Sequence, residues 1–177
     1  MNSSNLFKVN PKSSNPLITE INELIKLALD AETRKEFETA LQYRLKILAG
    51  RRLLGSSNGT LVNRARLDLA NTYYLMGYCD QAFQHIETVK QSNFMFKAEA
   101  AILEAKLLAV HGENAQNQKL ILDIYTFCCQ VFGMNDERVV QVLIALASVS
   151  SASQRQDVIK QAEALLGHEK LQKLINA

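Results

Sequence analysis

The sequence predicts an all-α protein built as an array of antiparallel helical hairpins, about four of them, followed by a short C-terminal capping helix. Apolar residues recur three and four positions apart in one segment after another, as they do on one face of an α-helix. The 177 residues include 7 glycines and 2 prolines, too few for a turn-rich β-sandwich or barrel. Short turns separate the apolar segments, so consecutive helices are expected to pair as hairpins.

A polar arm is predicted ahead of the helices, over residues 1–16. It is rich in Ser and Asn, and its isolated apolar residues are Leu6, Phe7 and Val9. We expect this arm to be extended and to hold the protein within a larger assembly through those three side chains. Residues 17–166 are predicted to form the helical hairpin domain and residues 167–177 the capping helix, which together suit one domain at this length.

Start and stop signals divide the hairpin domain into helices. Asn15 is expected to cap the first helix, with Pro16 at the first helical position, where a missing N–H costs nothing. Gly55, Gly77 and Gly133 follow helical segments, where glycine commonly ends a helix. The later helices are predicted at about 36–52, 61–76, 79–90, 96–110, 118–132, 137–149, 157–166 and 169–175. The aromatic residues expected in the core are Tyr78, Phe94, Phe96, Phe127 and Phe132.

Composition and motifs exclude several classes of protein. The net charge is +2 at pH 7 and there is no Trp, so nothing indicates a platform for stacking bases. Catalytic and phosphate-binding motifs are missing from the sequence, and its three cysteines and three histidines lack metal-ligand spacing. The first residues contain no apolar leader, and the apolar runs are too short for a membrane span. We expect a non-enzymatic cytoplasmic protein with no cofactor, no metal and no membrane contact.

Two segments of the chain repeat with a spacing of 42 residues. The segment 35–40 matches the segment 77–82, and the pair Leu27-Ala28 matches Leu69-Ala70. Each match places a small residue where two helices of a hairpin approach each other, beside a large residue that fills the groove between them. The two hairpins are therefore expected to pack in the same way.

The segment 69–83 resembles a tetratricopeptide repeat. That family places Leu-Ala, a Tyr three residues later, Gly before the turn and Ala in the second helix, which here are Leu69-Ala70, Tyr73, Gly77 and Ala82. Long second helices that end in Leu-Gly or Phe-Gly, before a Val in the next helix, resemble the repeats of kinesin light chains. The resemblance covers about residues 20–166, with departures at Lys35, Asn117 and Ser150. It implies a right-handed α-solenoid that acts as a protein-interaction scaffold, with a cytoskeletal or ciliary host suggested by analogy.

The resemblance also implies where a partner binds. In such repeats the first helices line a concave surface that holds an extended protein segment. The positions that correspond in this chain are Arg64, Leu67, Asn71, Tyr74, Ile102, Lys106, Ile144 and Ser148. The partners expected are an extended or acidic protein segment in this surface and neighbouring subunits of a large complex.

A basic stretch offers a second interaction surface. Residues 44–66 carry six basic side chains and no acidic one: Arg44, Lys46, Arg51, Arg52, Arg64 and Arg66. Arg51 and Arg52 end a predicted helix, where positive charge also suits the helix dipole. The stretch fits either a solvated helix face or a patch for an acidic partner. Two alternatives to the scaffold stay open: a nucleic-acid-associated helical repeat protein that uses this stretch, and an assembly chaperone for an apolar client.

Overall fold

The computed structural model describes residues 15–55, 59–110, 112 and 115–175. Within these residues it contains nine α-helices and no strand, which confirms the all-α prediction. The helices are α1 (Pro16–Thr33), α2 (Phe37–Leu54), α3 (Thr60–Leu75), α4 (Cys79–Lys90), α5 (Phe94–Val110), α6 (Ala115–Phe132), α7 (Glu137–Ser148), α8 (Ala152–Leu166) and α9 (His168–Ile175).

Each helix packs against the helices next to it in the chain, so α1 to α8 form four consecutive helix pairs. In addition, α3 contacts α5 and α5 contacts α7, which brings the first helices of the later pairs side by side. The buried apolar residues form three clusters that follow one another along the chain. The last cluster includes Leu171 of α9, which is 1% exposed. The short final helix therefore covers the end of the core, as a capping helix does.

The turns α1–α2 and α3–α4 have the same geometry, 42 residues apart. Lys35 and Gly77 both lie in the left-handed region, with φ of 61° and 76°. The next amide in each turn donates to the carbonyl five residues back, at 2.8 Å for Glu36 and 2.9 Å for Tyr78. Five residues after Lys35 and Gly77, Ala40 and Ala82 are both fully buried. The repeat found in the sequence thus corresponds to a repeated local structure, although Lys35 bears a side chain where glycine is favoured.

The start of α1 agrees with the prediction, whereas the start of α8 does not. Asn15 caps α1 as predicted, since its Oδ1 accepts a hydrogen bond from the amide of Leu17 at 3.0 Å. The helix α8 begins at Ala152 and not near residue 157. The serine-rich segment before it forms the turn, because Arg155 Nε donates to the Ala147 carbonyl at 3.0 Å and closes the end of α7. Arg155 lies three residues into α8 and bonds to the end of α7. Hydrophobic periodicity contains no signal for a contact of this kind.

The prediction that all five aromatic residues lie in the core is wrong for two of them. Tyr78 is 47% exposed and Phe94 is 58% exposed. Both lie at the N-terminal ends of helices, where side chains reach the surface. Phe94 packs edge-on against the ring of Phe127, with 5.2 Å between centroids, and so shields only part of its area.

Candidate functional site

A groove runs across α3, α5 and α7, which are the three first helices that contact one another. It consists of two adjoining cavities of about 240 and 550 Å³. Their shared lining residues are Asn71, Lys106 and Gln141, one from each helix. We call the two cavities together the groove and these three residues the polar ladder.

The polar ladder has a regular spacing. Its members lie 35 residues apart in the sequence and face the groove from consecutive first helices. Asn71 and Gln141 each carry an amide that can both donate and accept hydrogen bonds, and Lys106 carries three donors. Within the part of the chain that the structure describes, none of the three side chains makes a hydrogen bond or an ion pair. The ladder therefore presents unused hydrogen-bonding capacity to whatever lies in the groove.

The first cavity is also lined by Arg64 and Arg138, and both arginines are paired with carboxylates of the protein. Arg64 Nη2 lies 2.8 Å from Glu99 Oε2, and the Arg64 guanidinium lies 5.4 Å from the Phe96 ring centroid. Arg138 Nη2 donates to Asp136 Oδ2 at 2.8 Å. These contacts pair both arginines with the protein's own carboxylates, while their side chains stay 51% and 40% exposed.

Lys106 differs from the two arginines. It lies at the junction of the cavities, is half-buried, and has no acidic partner among the described residues. Burial lowers the pKa of Lys106 because the charged ammonium loses part of its hydration. Nearby, burial raises the pKa of Asp68 although Arg44 and Arg64 act in the opposite direction. Lys106 is thus a cation whose loss of water is not compensated by the described residues.

The second cavity is mainly apolar and ends at α9. Among the described residues that line it, Lys106 is the one with a formal charge. Leu75, Val110 and Ile175 are each at least 40% exposed there. The other apolar side chains of this lining are Tyr74, Ala109, Ile144, Ala145 and Leu174. This half of the groove suits an apolar group of a ligand.

Most of the residues predicted to contact a partner lie together in the groove. Arg64, Asn71, Tyr74 and Lys106 line it, as do Ile102, Ile144 and Ser148. Leu67 also borders the first cavity, but it is 6% exposed and forms part of its floor.

The other predicted residues are not brought into the groove. Arg51 and Arg52 lie in the last turn of α2 and are not among the described residues that line either cavity. Leu6, Phe7 and Val9, with the predicted arm, lie outside the described residues.

The basic stretch 44–66 does not form one surface. Arg44 is buried and donates to both carboxylate oxygens of Glu32, at 3.1 and 2.9 Å, and to Asp68 Oδ2 at 3.3 Å. Arg66 is buried and donates to Asn63 Oδ1 at 3.1 Å. Successive residues of a helix point in different directions, so a run of basic residues in the sequence is distributed around the helix.

Several groove residues were missed by sequence reasoning. Gln141 completes the polar ladder, Glu99 neutralises Arg64, and Ile175 closes the apolar end. The sequence carried a signal for Gln141, namely the 35-residue spacing from Lys106 that equals the spacing from Asn71. The positions predicted in α7 were Ile144 and Ser148 instead, which lie about one and two helical turns after Gln141 on the same face of the helix.

In the described ranges, no group of three or more His, Cys, Asp or Glu side chains is placed to hold a metal ion. No helix in those ranges combines the length and apolarity needed to cross a membrane. Searches against protein-family models, curated proteins and solved structures found no match to this chain.

Proposed function

We propose that the protein is a non-enzymatic interaction scaffold of the tetratricopeptide-repeat type, which holds an extended segment of a partner protein in the groove. The observation that carries this proposal is the polar ladder: Asn71, Lys106 and Gln141 face one groove from three adjacent helices, with no hydrogen bond to the described residues. An extended partner segment would supply the missing bonds. Buried polar groups are nearly always paired in proteins, so a ligand that covers the ladder must pair with it.

The dimensions of the ladder fit an extended backbone. Packed helices lie about 8–10 Å apart, and an extended chain advances about 3.3 Å per residue. One step of the ladder thus corresponds to about three residues of a bound segment. Asn71 and Gln141 can bond to N–H and C=O groups of that segment at both ends, since an amide side chain is both donor and acceptor.

We further propose that the protein is a subunit of a larger intracellular assembly. The cytoskeletal or ciliary host rests on family analogy alone. The nucleic-acid alternative has less support, because two of the six basic residues of the stretch 44–66 are buried. The chaperone alternative uses the same groove, and a transient rather than stoichiometric complex would distinguish it.

The proposal is tested by peptide binding to the whole chain. An immobilised array of random 12-residue peptides is probed with the wild type, and the tightest binders are measured by fluorescence anisotropy. The double variant Asn71→Ala with Gln141→Ala is expected to bind them at least tenfold more weakly, since it removes two polar contacts worth about 1 kcal/mol each. Its unfolding midpoint is expected to stay near the wild-type value, because neither side chain bonds to a described residue.

The matched control is Gln130→Ala, an exposed residue of α6 outside both cavity linings. Its binding is expected to equal that of the wild type. Binding that is equally strong in the ladder variant, or equally weak in the control, would contradict the proposal. The variant Arg64→Ala is unsuitable for this purpose because it leaves Glu99, whose side chain is 19% exposed, without its closest cation.

A further inference from the structure

The two ends of the groove differ in chemistry, and Lys106 lies between them. At the first end, Arg64 and Arg138 are held by the protein's own carboxylates, at 2.8 Å each. At the other end the described lining is apolar apart from the ladder and Ser148. A ligand that crosses the groove therefore meets paired charges first, then one free cation, and then an apolar cavity.

The free cation requires an anionic partner when a ligand covers it. Lys106 is half-buried already, and burial is the cause of its lowered pKa. A segment laid across it would remove more water from the ammonium, which is costly unless a charged group replaces that water. Within the described residues, neither Glu99 nor Asp68 bonds to Lys106, since Glu99 pairs with Arg64 and Asp68 with Arg44. The carboxylate must then come from the ligand.

The apolar cavity beside Lys106 is completed by α9. Leu174 and Ile175 line it, across from Tyr74 on α3 and Val110 on α5. Leu171, one helical turn earlier, is fixed in the core, so α9 holds these two side chains at the end of the groove. The volume of about 550 Å³ admits a large aliphatic or aromatic side chain.

We infer that the groove selects a segment in which an acidic residue binds Lys106 and a nearby bulky apolar residue fills the cavity closed by α9. This inference rests on the proposed function and adds the ligand's chemistry and direction. The C-terminal helix is then part of the binding site as well as a cap, and Ile175 determines specificity together with Lys106.

The experiment uses 12-residue peptides with fixed Glu or Gln at one position and fixed Leu or Ser at another, at separations of one to five residues. For the wild type, peptides with Glu and Leu at one preferred separation are expected to bind about tenfold more tightly than those with Gln or with Ser. Lys106→Gln is expected to abolish the preference for Glu and to keep the preference for Leu. Ile175→Ser is expected to abolish the preference for Leu and to keep the preference for Glu.

The control is Lys97→Gln, which removes a lysine of α5 that lies over Phe127, away from the groove. It is expected to keep both preferences. A Glu preference that persists in Lys106→Gln, or a Leu preference that persists in Ile175→Ser, overturns the inference. Groove binding that depends on Asn71 and Gln141 but shows neither preference overturns the inference and leaves the proposed function intact. The absence of peptide binding overturns both.

Discussion

Arg44 links the first two hairpins. The variant Arg44→Met measures how much this link contributes to the free energy of unfolding. Its guanidinium donates two hydrogen bonds to Glu32 and one to Asp68, so it joins α2 to both α1 and α3. The Arg44 side chain is 5% exposed and that of Glu32 is 14% exposed. Thr72 Oγ1 donates a further bond to Glu32 at 2.8 Å. With Met at position 44, the Thr72 hydroxyl is the one hydrogen-bond partner that the described residues leave to the Glu32 carboxylate.

Removal of one partner from a buried ion pair costs about 3–5 kcal/mol of stability, because the other charge is left uncompensated. We expect about 3 kcal/mol here, since Glu32 is slightly exposed and Asp68, with a side chain 33% exposed, recovers water. The double variant Arg44→Met with Glu32→Leu is expected to regain most of this loss. Replacing both members of a buried pair by apolar residues is often neutral.

The assay is urea unfolding at pH 7 followed by far-ultraviolet circular dichroism. The control is Arg34→Met, whose pairs with Asp30 and Glu36 join side chains that are each about half exposed. Exposed pairs of this kind contribute about 0.5 kcal/mol or less. An Arg44→Met variant that loses no more stability than Arg34→Met would refute the assignment of Arg44 as the link between hairpins.

Three further predictions concern the pKa of His85, the backbone at Lys35 and Gly77, and the reactivity of the Cys128 thiol. Burial and two neighbouring arginines lower the pKa of His85. The free energy of unfolding should therefore fall as the pH drops below about 6.5, where the unfolded chain takes up the proton first, and NMR titration of Arg52→Gln should show a higher His85 pKa. Lys35 and Gly77 both have positive φ, so Lys35→Gly should stabilise the protein by about 1 kcal/mol and Gly77→Ala should destabilise it by a similar amount. Urea unfolding measures both changes. Destabilisation by Lys35→Gly or stabilisation by Gly77→Ala would show that backbone strain is not the cause. Burial raises the pKa of Cys128 to about 12, so iodoacetamide at pH 8 should leave this thiol unmodified in the native protein and modify it in urea, as read by peptide mass mapping.

The helices were largely predictable because their signals are local. Each signal affects only the backbone within a few residues of it, as the Asn15 cap, the apolar periodicity and the glycine at position 77 show. The matching turns at Lys35 and Gly77 were also found, since a repeated motif implies a repeated structure. The early start of α8 was missed because Arg155 reaches back to a carbonyl of α7, a contact that no periodicity records.

Part of the groove was also predicted, through the family resemblance and not through local helix signals. The positions implied by the family resemblance include Asn71 and Lys106, and the structure places both in the lining of the groove. Arg64 and Lys106 were both predicted to contact a partner, and the structure pairs Arg64 with Glu99 but leaves Lys106 unpaired among the described residues. An ion pair between two helices forms only where the two side chains lie at the same level along the helix axes. That level depends on how the helices pack against each other, which the sequence pattern does not show.

The most direct test of the central claim is to locate a bound peptide on the protein. Benzoylphenylalanine is introduced in place of Ser148, an exposed residue that lines the apolar cavity, and in a second chain in place of Gln130 on α6. After irradiation with the tightest array peptide, the cross-linked residues are identified by mass spectrometry. We expect efficient cross-linking from position 148 and background levels from position 130. Cross-linking from position 130 with none from position 148 would contradict the assignment of the groove as the binding surface.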